Sequence, residues 1–301
     1  MCRLAGVNRA GYYRSLLERH PEEEDMEARA AIQEIALSHR RRYGYRRIAA
    51  ELRRRGMKVN HKRVVRLMRE DNLLAIRSRR FVITTDSEHD LEVYLNLAKR
   101  MKVAGANQLW VADFTYIRLN REFVYLAVIL DAWSRRVVGW ALDRTLAARL
   151  ATTALERAVT ARQPGPGLVH HSDRGIQYAS QDYVSLLNKH QMTPSMSRPA
   201  NPYDNAMCES FMKTLKQEEI HCREYSDLED LQGHIEEFVD RYYNGQRLHS
   251  ALGYRTPVEF EQECQAQNSE EGIEVAKMSF FRQGKSIDPM SASGTSGGTN
   301  S

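Results

Sequence analysis

Three consecutive runs of β-branched and aromatic residues in the middle of the chain constrain its fold more than any other feature. The runs are QLWVADFTYIRL (108–119), EFVYLAVILDA (122–132) and RRVVGWALD (135–143), with short turns between them. Such runs favour extended strands, and connections this short favour antiparallel neighbours. We therefore predict three consecutive antiparallel strands.

Helices and shorter strands alternate after these three runs. The apolar spacing predicts a helix at 146–162, a strand GLVHHSD at 167–173, a helix at 181–190, a brief strand near 192–196 and a helix at 205–221. The order β-β-β-α-β-α-β-α is that of an α/β domain with a mixed sheet. Because open sheets bind ligands at strand ends and at topological switch points, we expect the functional site there.

The segment between residues 39 and 80 carries 16 basic residues and only three acidic ones. This density predicts a polyanionic partner, most simply nucleic acid. Two short amphipathic helices, the first stopped by Gly56 and the second capped by Asn60, are typical of a helix-turn-helix at about 26–76. The second helix carries the candidate DNA-binding residues Lys62, Arg63, Arg66 and Arg69. The alternative is a small basic bundle that only packs on the next domain.

The changes of pattern along the chain predict two domains and two less ordered segments. They are a basic helical region at 1–83, a linker at 84–104, an α/β core with C-terminal helices at 105–265 and a disordered tail at 266–301. The tail has no periodic apolar face and ends in SASGTSGGTNS, a composition typical of disorder.

The composition argues against several classes of protein. Hydrophobic residues make up 42% and charged residues 28% of the chain, which describes an ordinary globular protein. No window of about 18 apolar residues predicts a membrane span, and the N-terminus lacks the apolar core of a signal peptide. The four cysteines lie far apart without a CxxC pair, so we expect reduced thiols, a cytoplasmic location and no zinc site.

Two aspartates belong to predicted strands and are candidates for the functional site. Asp113 lies within the first predicted strand among apolar and aromatic neighbours, where a carboxylate is costly unless it pairs or binds a cation. Asp173 closes the fourth predicted strand, before Arg-Gly. Taken alone, Asp173 is equally well interpreted as a turn former.

The stretch NPYDNAMCESFMKTLKQE (201–218) predicts a turn and then a helix capped by Asp204. At about 100° per residue, one side of this helix is apolar, and it comprises Met207, Cys208, Phe211, Leu215 and Cys222. The other side faces away from the core and carries the candidate site residues Asn205, Glu209, Lys213 and Lys216. The alternative is a solvated face on which Glu209 and Lys213 form an ion pair worth about 0.3 kcal/mol.

Three carboxylates converge if the first and fourth strands are neighbours. Asp113, Asp173 and Glu209 would then offer hard oxygen ligands that suit Mg²⁺ or Mn²⁺. Two such ions, about 3.5–4 Å apart, activate an attacking oxygen and stabilise the leaving oxygen of a phosphodiester. Lys216, two turns beyond Glu209, would then contact the phosphate backbone.

Several longer motifs carry a resemblance to a known family. They are YGYRRI, NQLWVADFTYI, HSDRGIQY, SMSRPANPYDNAMCESFMKTLKQE and YNGQRLHSALGYRTPVEF, and the resemblance they carry covers roughly residues 5 to 262. Asp173 and Glu209 are separated by 35 residues, and a lysine follows the glutamate after seven. With these motifs the chain resembles the second-frame catalytic product of IS3-family insertion-sequence transposases.

The resemblance implies a ribonuclease H-like integrase core, with a mixed five-stranded sheet and flanking helices, preceded by a small all-α helix-turn-helix domain. It implies that Asp113, Asp173 and Glu209 are the catalytic and metal-binding residues, with two Mg²⁺ or Mn²⁺ ions. It further implies strand cleavage and 3′-hydroxyl transfer on DNA, a homo-oligomer on DNA, a first-frame product as fusion or partner, and a bacterial, nucleoid-associated location.

The chain departs from the family pattern at three positions. Ala112 and Phe114 flank the first aspartate where Thr and Ile are more usual, and Ala200 stands where Gly is usual. Two alternative functions remain open, a nuclease on the same fold without strand transfer and a DNA-binding regulator without activity. We interpret the remaining polar candidates as packing or turn residues, or assign them no chemical role: Asp131, His170, His171, Tyr242, His249 and Tyr254.

Overall fold

The computed structural model describes most of the two predicted domains. The described residues are 8, 13, 23–74, 94–98, 101–119, 122–197 and 205–267. Much of the predicted linker, nearly all of the predicted tail, Ala200 and the predicted helix cap Asp204 lie outside them.

Within residues 23–74, the continuous stretch of the basic N-terminal region that the structure describes, the chain forms three helices. They are α1 (Glu23–Ser38), α2 (Tyr45–Arg54) and α3 (His61–Glu70). Two of the predicted end signals are confirmed, because the side chain of Asn60 accepts a hydrogen bond from the Lys62 amide at 2.9 Å and Gly56 has a φ of +83°. On α3 the buried side chains are Val64, Leu67 and Met68. Val65 is only half-buried because the inner stripe follows the i, i+3, i+4 spacing.

Ion pairs hold α1 against α3. Asp25 is buried at the start of α1 and accepts hydrogen bonds from Arg63 at 2.7 Å and Arg66 at 2.9 Å. These two guanidinium groups hold the pKa of the Asp25 carboxyl below its ordinary value. Arg29, one turn further along α1, binds Glu70 and Asp71 at the end of α3. The two helices are therefore joined by charge as well as by apolar packing.

The core contains five strands in the predicted mixed sheet. They are β1 (Leu109–Arg118), β2 (Phe123–Asp131), β3 (Val137–Asp143), β4 (Val169–Ser172) and β5 (Thr193–Met196). Their order across the sheet is β3-β2-β1-β4-β5. Strands β2 and β3 are antiparallel, whereas β4 is parallel to both β1 and β5. The connection between β1 and β2 is too short for a crossover, so these neighbours are antiparallel too.

Helices α4 (Ala148–Arg162) and α5 (Gln181–Lys189) pack on one face of the sheet. The apolar core of this layer includes Trp110, Leu155 and Tyr183, all fully buried. The Ser180 side chain caps α5 by accepting from the Tyr183 amide at 3.4 Å. The strands and helices of this region confirm the order predicted from the sequence.

Helix α6 (Ala206–Glu218) follows the last strand and is shorter than predicted. A 3-10 turn, Ile220–Cys222, replaces its expected last turn. Cys222, which we predicted on the apolar side of the helix, is exposed, because the helical period ends before that residue. Cys208, Phe211 and Leu215 are buried as predicted.

The remaining helices follow α6. Helix α7 (Leu228–Glu236) continues without a break into a π-helical segment, Glu237–Tyr243. A 3-10 turn (Ser250–Leu252) and helix α8 at 257–267 come next. No helix in the described parts of the chain combines the length and apolarity that crossing a membrane requires.

A buried carboxylate fixes helix α8 to the sheet. Glu261 binds Arg162 at 2.8 and 2.9 Å and Arg136 at 2.8 Å. Although burial opposes ionisation, these guanidinium groups hold the pKa of Glu261 below its ordinary value. The side-chain amide of Asn244 adds two bonds of 3.0 Å with the backbone of Val137. Together these bonds anchor the C-terminal helices to β3 and α4.

A second buried carboxylate lies just after α6. Glu219 forms an ion pair with Arg42, which precedes α2, and another with Arg223 at 3.1 Å. The Tyr225 hydroxyl donates to Glu219 at 3.3 Å (backbone oxygen) and 3.4 Å (carboxylate). Burial and the nearby carboxylate raise the pKa of Tyr225 well above its ordinary value, so its hydroxyl stays protonated. The segment after α6 is thereby tied to the segment before α2.

The described residues divide into two compact units that do not follow the order of the chain. One unit contains those of Met1–His89, Tyr116–Val124 and Glu209–Leu231. The other contains those of Asp90–Thr115, Tyr125–Cys208 and Gln232–Ser301. The domain boundaries drawn from the sequence stay a prediction.

We predict that Gly139→Ala destabilises the protein by about 1–3 kcal/mol, because overpacking a close contact costs this much. A Cβ at residue 139 of β3 would collide with the Ala154 carbonyl oxygen and lie 2.7 Å from the Ala158 Cβ on α4. Urea unfolding measures the effect.

Gly233→Ala is the matched control. A Cβ at that position, inside α7, meets nothing within 4 Å, and alanine favours a helix over glycine by roughly 0.5–1 kcal/mol. We expect the control to be neutral or stabilising. Equal stability of the two variants would contradict the close approach of β3 to α4.

Candidate active site

Asp113 lies within β1, and Asp173 directly follows the last residue of β4, the parallel neighbour of β1. In the β1–β4 ladder Val111 is opposite His171, and two more residues along each strand bring Asp113 opposite Asp173. Adjacent strands lie about 4.8 Å apart, and side chains two residues apart share a face. The register, continued by two residues, therefore indicates that the two aspartates are neighbours at this edge of the sheet. Their convergence in one site stays a prediction.

Backbone amides orient both carboxylates. Oδ1 of Asp113 accepts a hydrogen bond from the Phe114 amide at 2.8 Å. Oδ1 of Asp173 accepts one from the Gly175 amide at 2.9 Å. A Cβ at residue 175 would lie only 3.0 Å from Oδ1 of Asp173, so glycine lets the loop close on the carboxylate. Both aspartates are half-buried, which restricts their side chains without sealing them from solvent.

Tyr178 forms an aromatic wall beside the two aspartates. Its ring packs on Phe114 with centroids 4.6 Å apart, and the side chain is buried. Burial, then Tyr183, and then the charges of Asp173 and Asp113 raise its pKa well above the ordinary value. The hydroxyl is thus neutral, and it has no hydrogen-bond partner among the residues that the structure describes. Sequence reasoning missed Tyr178, because an aromatic residue in a loop carries no periodic signal.

Asn205 anchors the start of α6 to β1. Its Nδ2 donates to the carbonyl oxygen of Ala112 at 3.0 Å, next to Asp113. We predicted Asn205 on the outward side of the helix, but it is buried because it precedes the first helical residue and the helical period does not reach it. Its Oδ1 is also buried and finds no hydrogen-bond partner within the described ranges.

The outward side of α6 carries the three other candidates. Glu209 lies exposed in the first turn, and Lys213 is exposed one turn later. No ion pair joins these two residues, both of which the structure describes, and their exposure agrees equally with the alternative of a solvated face. Lys216 is half-buried, with its Nζ 5.0 Å from the ring centroid of Tyr116.

The predicted triad is divided between the two compact units. Asp113 and Asp173 belong to one unit, and Glu209 belongs to the other. Among the described residues, no three His, Cys, Asp or Glu side chains approach closely enough to hold a metal ion. The participation of Glu209 in a three-carboxylate site stays a prediction.

The basic candidates on α3 fall into two pairs. Lys62 and Arg69 are exposed. Arg63 and Arg66 both bind Asp25 and so also hold α3 against α1. Asp25 escaped sequence reasoning because it lies in an acidic run, EEED, in which no residue stands out.

The two histidines before Asp173 have structural partners. His171 contacts the hydroxyl groups of Ser195 at 2.9 Å and Ser197 at 3.0 Å. Nε2 of His170 lies 2.9 Å from the Tyr183 hydroxyl. All these polar bonds are buried, so the histidines tie β4 to β5 and α5.

The other polar candidates serve turns and packing, as we interpreted them. Asp131 is buried and accepts from the amides of Asn107, Trp133 and Ser134 at 2.6 to 3.0 Å, while burial raises its pKa. Tyr242 and His249 are buried. Tyr254 has a φ of +61° in a turn.

Family models match most of the chain. An "Integrase core domain" model matches residues 104–202, and a second model of the same description matches 190–257. An "HTH-like domain" model matches residues 22–81.

Two relatives are similar along nearly their whole length. The "Insertion element IS600 uncharacterized 31 kDa protein" of Shigella sonnei is 37% identical over 264 residues, which are 86% of this chain and 97% of the relative. The "Transposase InsF for insertion sequence IS3A" of Escherichia coli (strain K12) is 35% identical over 266 residues, 87% of this chain and 92% of the relative.

A solved structure has a weaker similarity. The simian T-cell lymphotropic virus intasome, in complex with PP2A regulatory subunit B56 gamma, contains a chain with a TM-score of 0.46 and 14% identity. The match covers 77% of this chain and 74% of the other.

We predict that buried His170 on β4 makes the stability of the protein fall at acid pH. Burial, and then the neighbouring His171, lower the pKa of His170 from 6.5 to about 3. The folded state therefore keeps His170 neutral while the unfolded chain protonates it below about pH 6.5. The resulting stability is complete above that pH and falls by up to about 1.4 kcal/mol per pH unit as the pH drops toward 3.

Urea unfolding between pH 7.5 and 5 measures this dependence, with His170→Gln as the control. The variant accepts the Tyr183 hydroxyl bond without titrating, so its stability should fall less steeply with acid than that of the wild type. Parallel pH profiles would contradict the prediction.

Proposed function

This chain is a member of the IS3 family of insertion-sequence transposases, and on that premise we propose that it cleaves DNA strands at the ends of its element and joins their 3′-hydroxyl groups to target DNA. Asp113, Asp173 and Glu209 are the proposed catalytic residues. Two relatives match it over more than nine-tenths of their length, and integrase core and HTH-like models both match the chain.

The parallel register of β1 and β4, which leads to Asp113 on one strand and to Asp173 just after the other, is the observation that supports the proposal. Two carboxylates side by side on a sheet repel each other and lose hydration, so they need a compensating cation. Both are held by backbone amides in one orientation, which favours a preorganised site over a pair of mobile surface acids. Glu209 is the proposed third carboxylate, because its spacing from Asp173 in the sequence matches the family pattern.

The donor set fits Mg²⁺ or Mn²⁺, which bind through hard oxygen ligands. Asp113, Asp173 and Glu209 would hold two such ions. The side chain of Asn205 supports the fit. Its Nδ2 donates to the carbonyl oxygen of Ala112, the residue before Asp113. Its buried Oδ1 is a hard oxygen that lacks a hydrogen-bond partner within the described residues. When bound, two ions activate the attacking oxygen and stabilise the leaving oxygen of a phosphodiester.

The reaction needs two displacements at phosphorus. In cleavage, a water oxygen attacks the phosphorus and the P–O3′ bond breaks, which leaves a 3′-hydroxyl and a 5′-phosphate. In joining, that 3′-hydroxyl attacks a target phosphodiester and a new 3′-hydroxyl leaves. The chain itself positions the reacting groups: the amides of Phe114 and Gly175 fix the carboxylates, Tyr178 closes one side of the site to water, and Lys216 binds phosphate.

DNA binding is assigned to the basic helices and to the outward side of α6. Lys62 and Arg69 are exposed on α3, and Lys213 is exposed on α6. We further propose that the protein acts in the bacterial cytoplasm, near the nucleoid, as a homo-oligomer on DNA, with a first-frame product as fusion or partner.

We predict that removing one charge from the triad abolishes catalysis without unfolding the protein. Glu209→Gln, Asp113→Asn and Asp173→Asn keep the side-chain size but remove a metal ligand. Each should lower strand cleavage and joining in Mg²⁺ by orders of magnitude, and double variants should be hardly worse, because the three residues act as a unit. The assay is gel analysis of labelled element ends, with thermal melting of each variant.

Glu156→Gln is the control, since it removes an exposed helical carboxylate on α4. Its activity should match that of the wild type. Full activity of Glu209→Gln would reduce Glu209 to a solvated helix residue. Nicks without joined products, in the wild type, would favour a nuclease, and the absence of both would favour a DNA-binding regulator.

We also predict that binding to duplex DNA is dominated by phosphate contacts and weakens steeply with salt. Lys62→Ala should lower the affinity and reduce the slope of log K against log salt by about 0.9, the value for one lost contact. Fluorescence anisotropy of a labelled duplex at several salt concentrations measures both quantities. Lys189→Ala, at the end of α5, is the matched control and should change neither. An unchanged slope for Lys62→Ala would exclude this contact.

A further inference from the structure

Near the connection between β1 and β2, two adjacent aromatic rings are flanked by two cations. We call this set the stacking patch, and it comprises Tyr116, Arg118, Phe123 and Lys216. Phe123 is 51% exposed, and its ring lies edge-on to Tyr116 with centroids 6.0 Å apart. The Arg118 guanidinium lies 5.9 Å from the centroid of Phe123, and Lys216 Nζ lies 5.0 Å from that of Tyr116.

The fold itself does not require this arrangement. Phe123 opens β2 while Val124, the next residue, is fully buried, so the strand is already anchored without the phenyl ring. An exposed phenyl group loses the free energy of burial, and its position beside two cations is unlike a hydrophobic core. All four residues lie in the compact unit that also contains the basic helices α2 and α3.

A nucleotide satisfies both components of the stacking patch. An unstacked base offers a flat π-face to an aromatic ring, and its phosphate offers negative charge to Arg118 and Lys216. A purely apolar partner would instead desolvate the two cations without compensation. Duplex DNA hides its base faces in the stack, so the ligand is a nucleotide that is not paired.

We propose that the stacking patch binds an unpaired nucleotide of a DNA strand, with the base on the Phe123 ring and the phosphate between Arg118 and Lys216. This inference rests on the proposed function for the identity of the nucleic acid as DNA. It adds a binding site beyond the carboxylates and the basic helices. The patch captures a base that leaves the duplex when the end of the element frays or is cut.

Binding to single-stranded DNA in EDTA tests the proposal, because EDTA separates binding from metal-dependent catalysis. The probe is a fluorescein-labelled oligonucleotide of about 15 thymidines, and a second probe of equal length has abasic sites instead of bases. Fluorescence anisotropy with the full-length protein gives both affinities. The variants are Phe123→Ala, Phe123→Trp and Arg118→Ala, with Leu37→Ala as control, since Leu37 is 70% exposed on α1.

Phe123→Ala should weaken thymidine binding about five- to one-hundred-fold, which corresponds to the loss of one stacked base, and should leave abasic binding unchanged. Phe123→Trp should retain or improve binding. Arg118→Ala should weaken both probes alike. The proposal would be overturned if Phe123→Ala bound the thymidine probe as tightly as the wild type. It would also be overturned if Leu37→Ala weakened thymidine binding as much as Phe123→Ala does.

The outcome is independent of whether the enzyme proposal is correct. A protein that neither nicks nor joins DNA in Mg²⁺, but loses thymidine binding in Phe123→Ala, retains the stacking patch and refutes the catalytic assignment. A protein that cleaves and joins DNA with no effect of Phe123→Ala on the thymidine probe retains the catalytic assignment and refutes the patch.

Discussion

The parallel pairing of β1 with β4 is the interaction on which the rest of this structure depends. It places the middle of one strand level with the end of another, so that the register, continued by two residues, leads to Asp113 and Asp173, although 59 residues separate them. A parallel pair requires a long crossover, which β2, β3 and α4 supply. The close approach of Gly139 to α4 and the Glu261 ion pairs keep that crossover packed on the sheet. Residues far from the carboxylates thus determine their spacing.

Much of this arrangement was predictable because its signals are local. The runs of β-branched and aromatic residues at 108–143 specify strands through the shape of their side chains, and the structure confirms all three. Asp113 drew attention because a carboxylate within such a run must be compensated. The strand order predicted that β1 and β4 can be neighbours, which the structure confirms, and the pairing of Asp113 with Asp173 that we inferred from it stays a prediction.

What sequence reasoning missed depends on contacts between distant segments. Helical periodicity placed Asn205 outside, but the residue precedes the helix and its amide finds the carbonyl of Ala112. The same periodicity placed Cys222 inside, although the helix ends four residues earlier. The partners of Arg63 and Arg66 lie about 40 residues away, and no local rule connects them with Asp25. Tyr178 belongs to a loop, where the spacing of apolar residues says little about which side chains are buried.

The buried Glu219 limits how this family can diversify. Its carboxylate lies after α6 and forms ion pairs both with the nearby Arg223 and with Arg42, which precedes the basic helices α2 and α3. A buried charge that loses its partner costs about 3–5 kcal/mol, which is a large part of the stability of a typical domain. A recombination event that replaced the first hundred residues with those of another transposase would therefore have to carry a matching cation at position 42. The basic N-terminal segment and the segment that follows the helix bearing Glu209 are therefore coupled through charge.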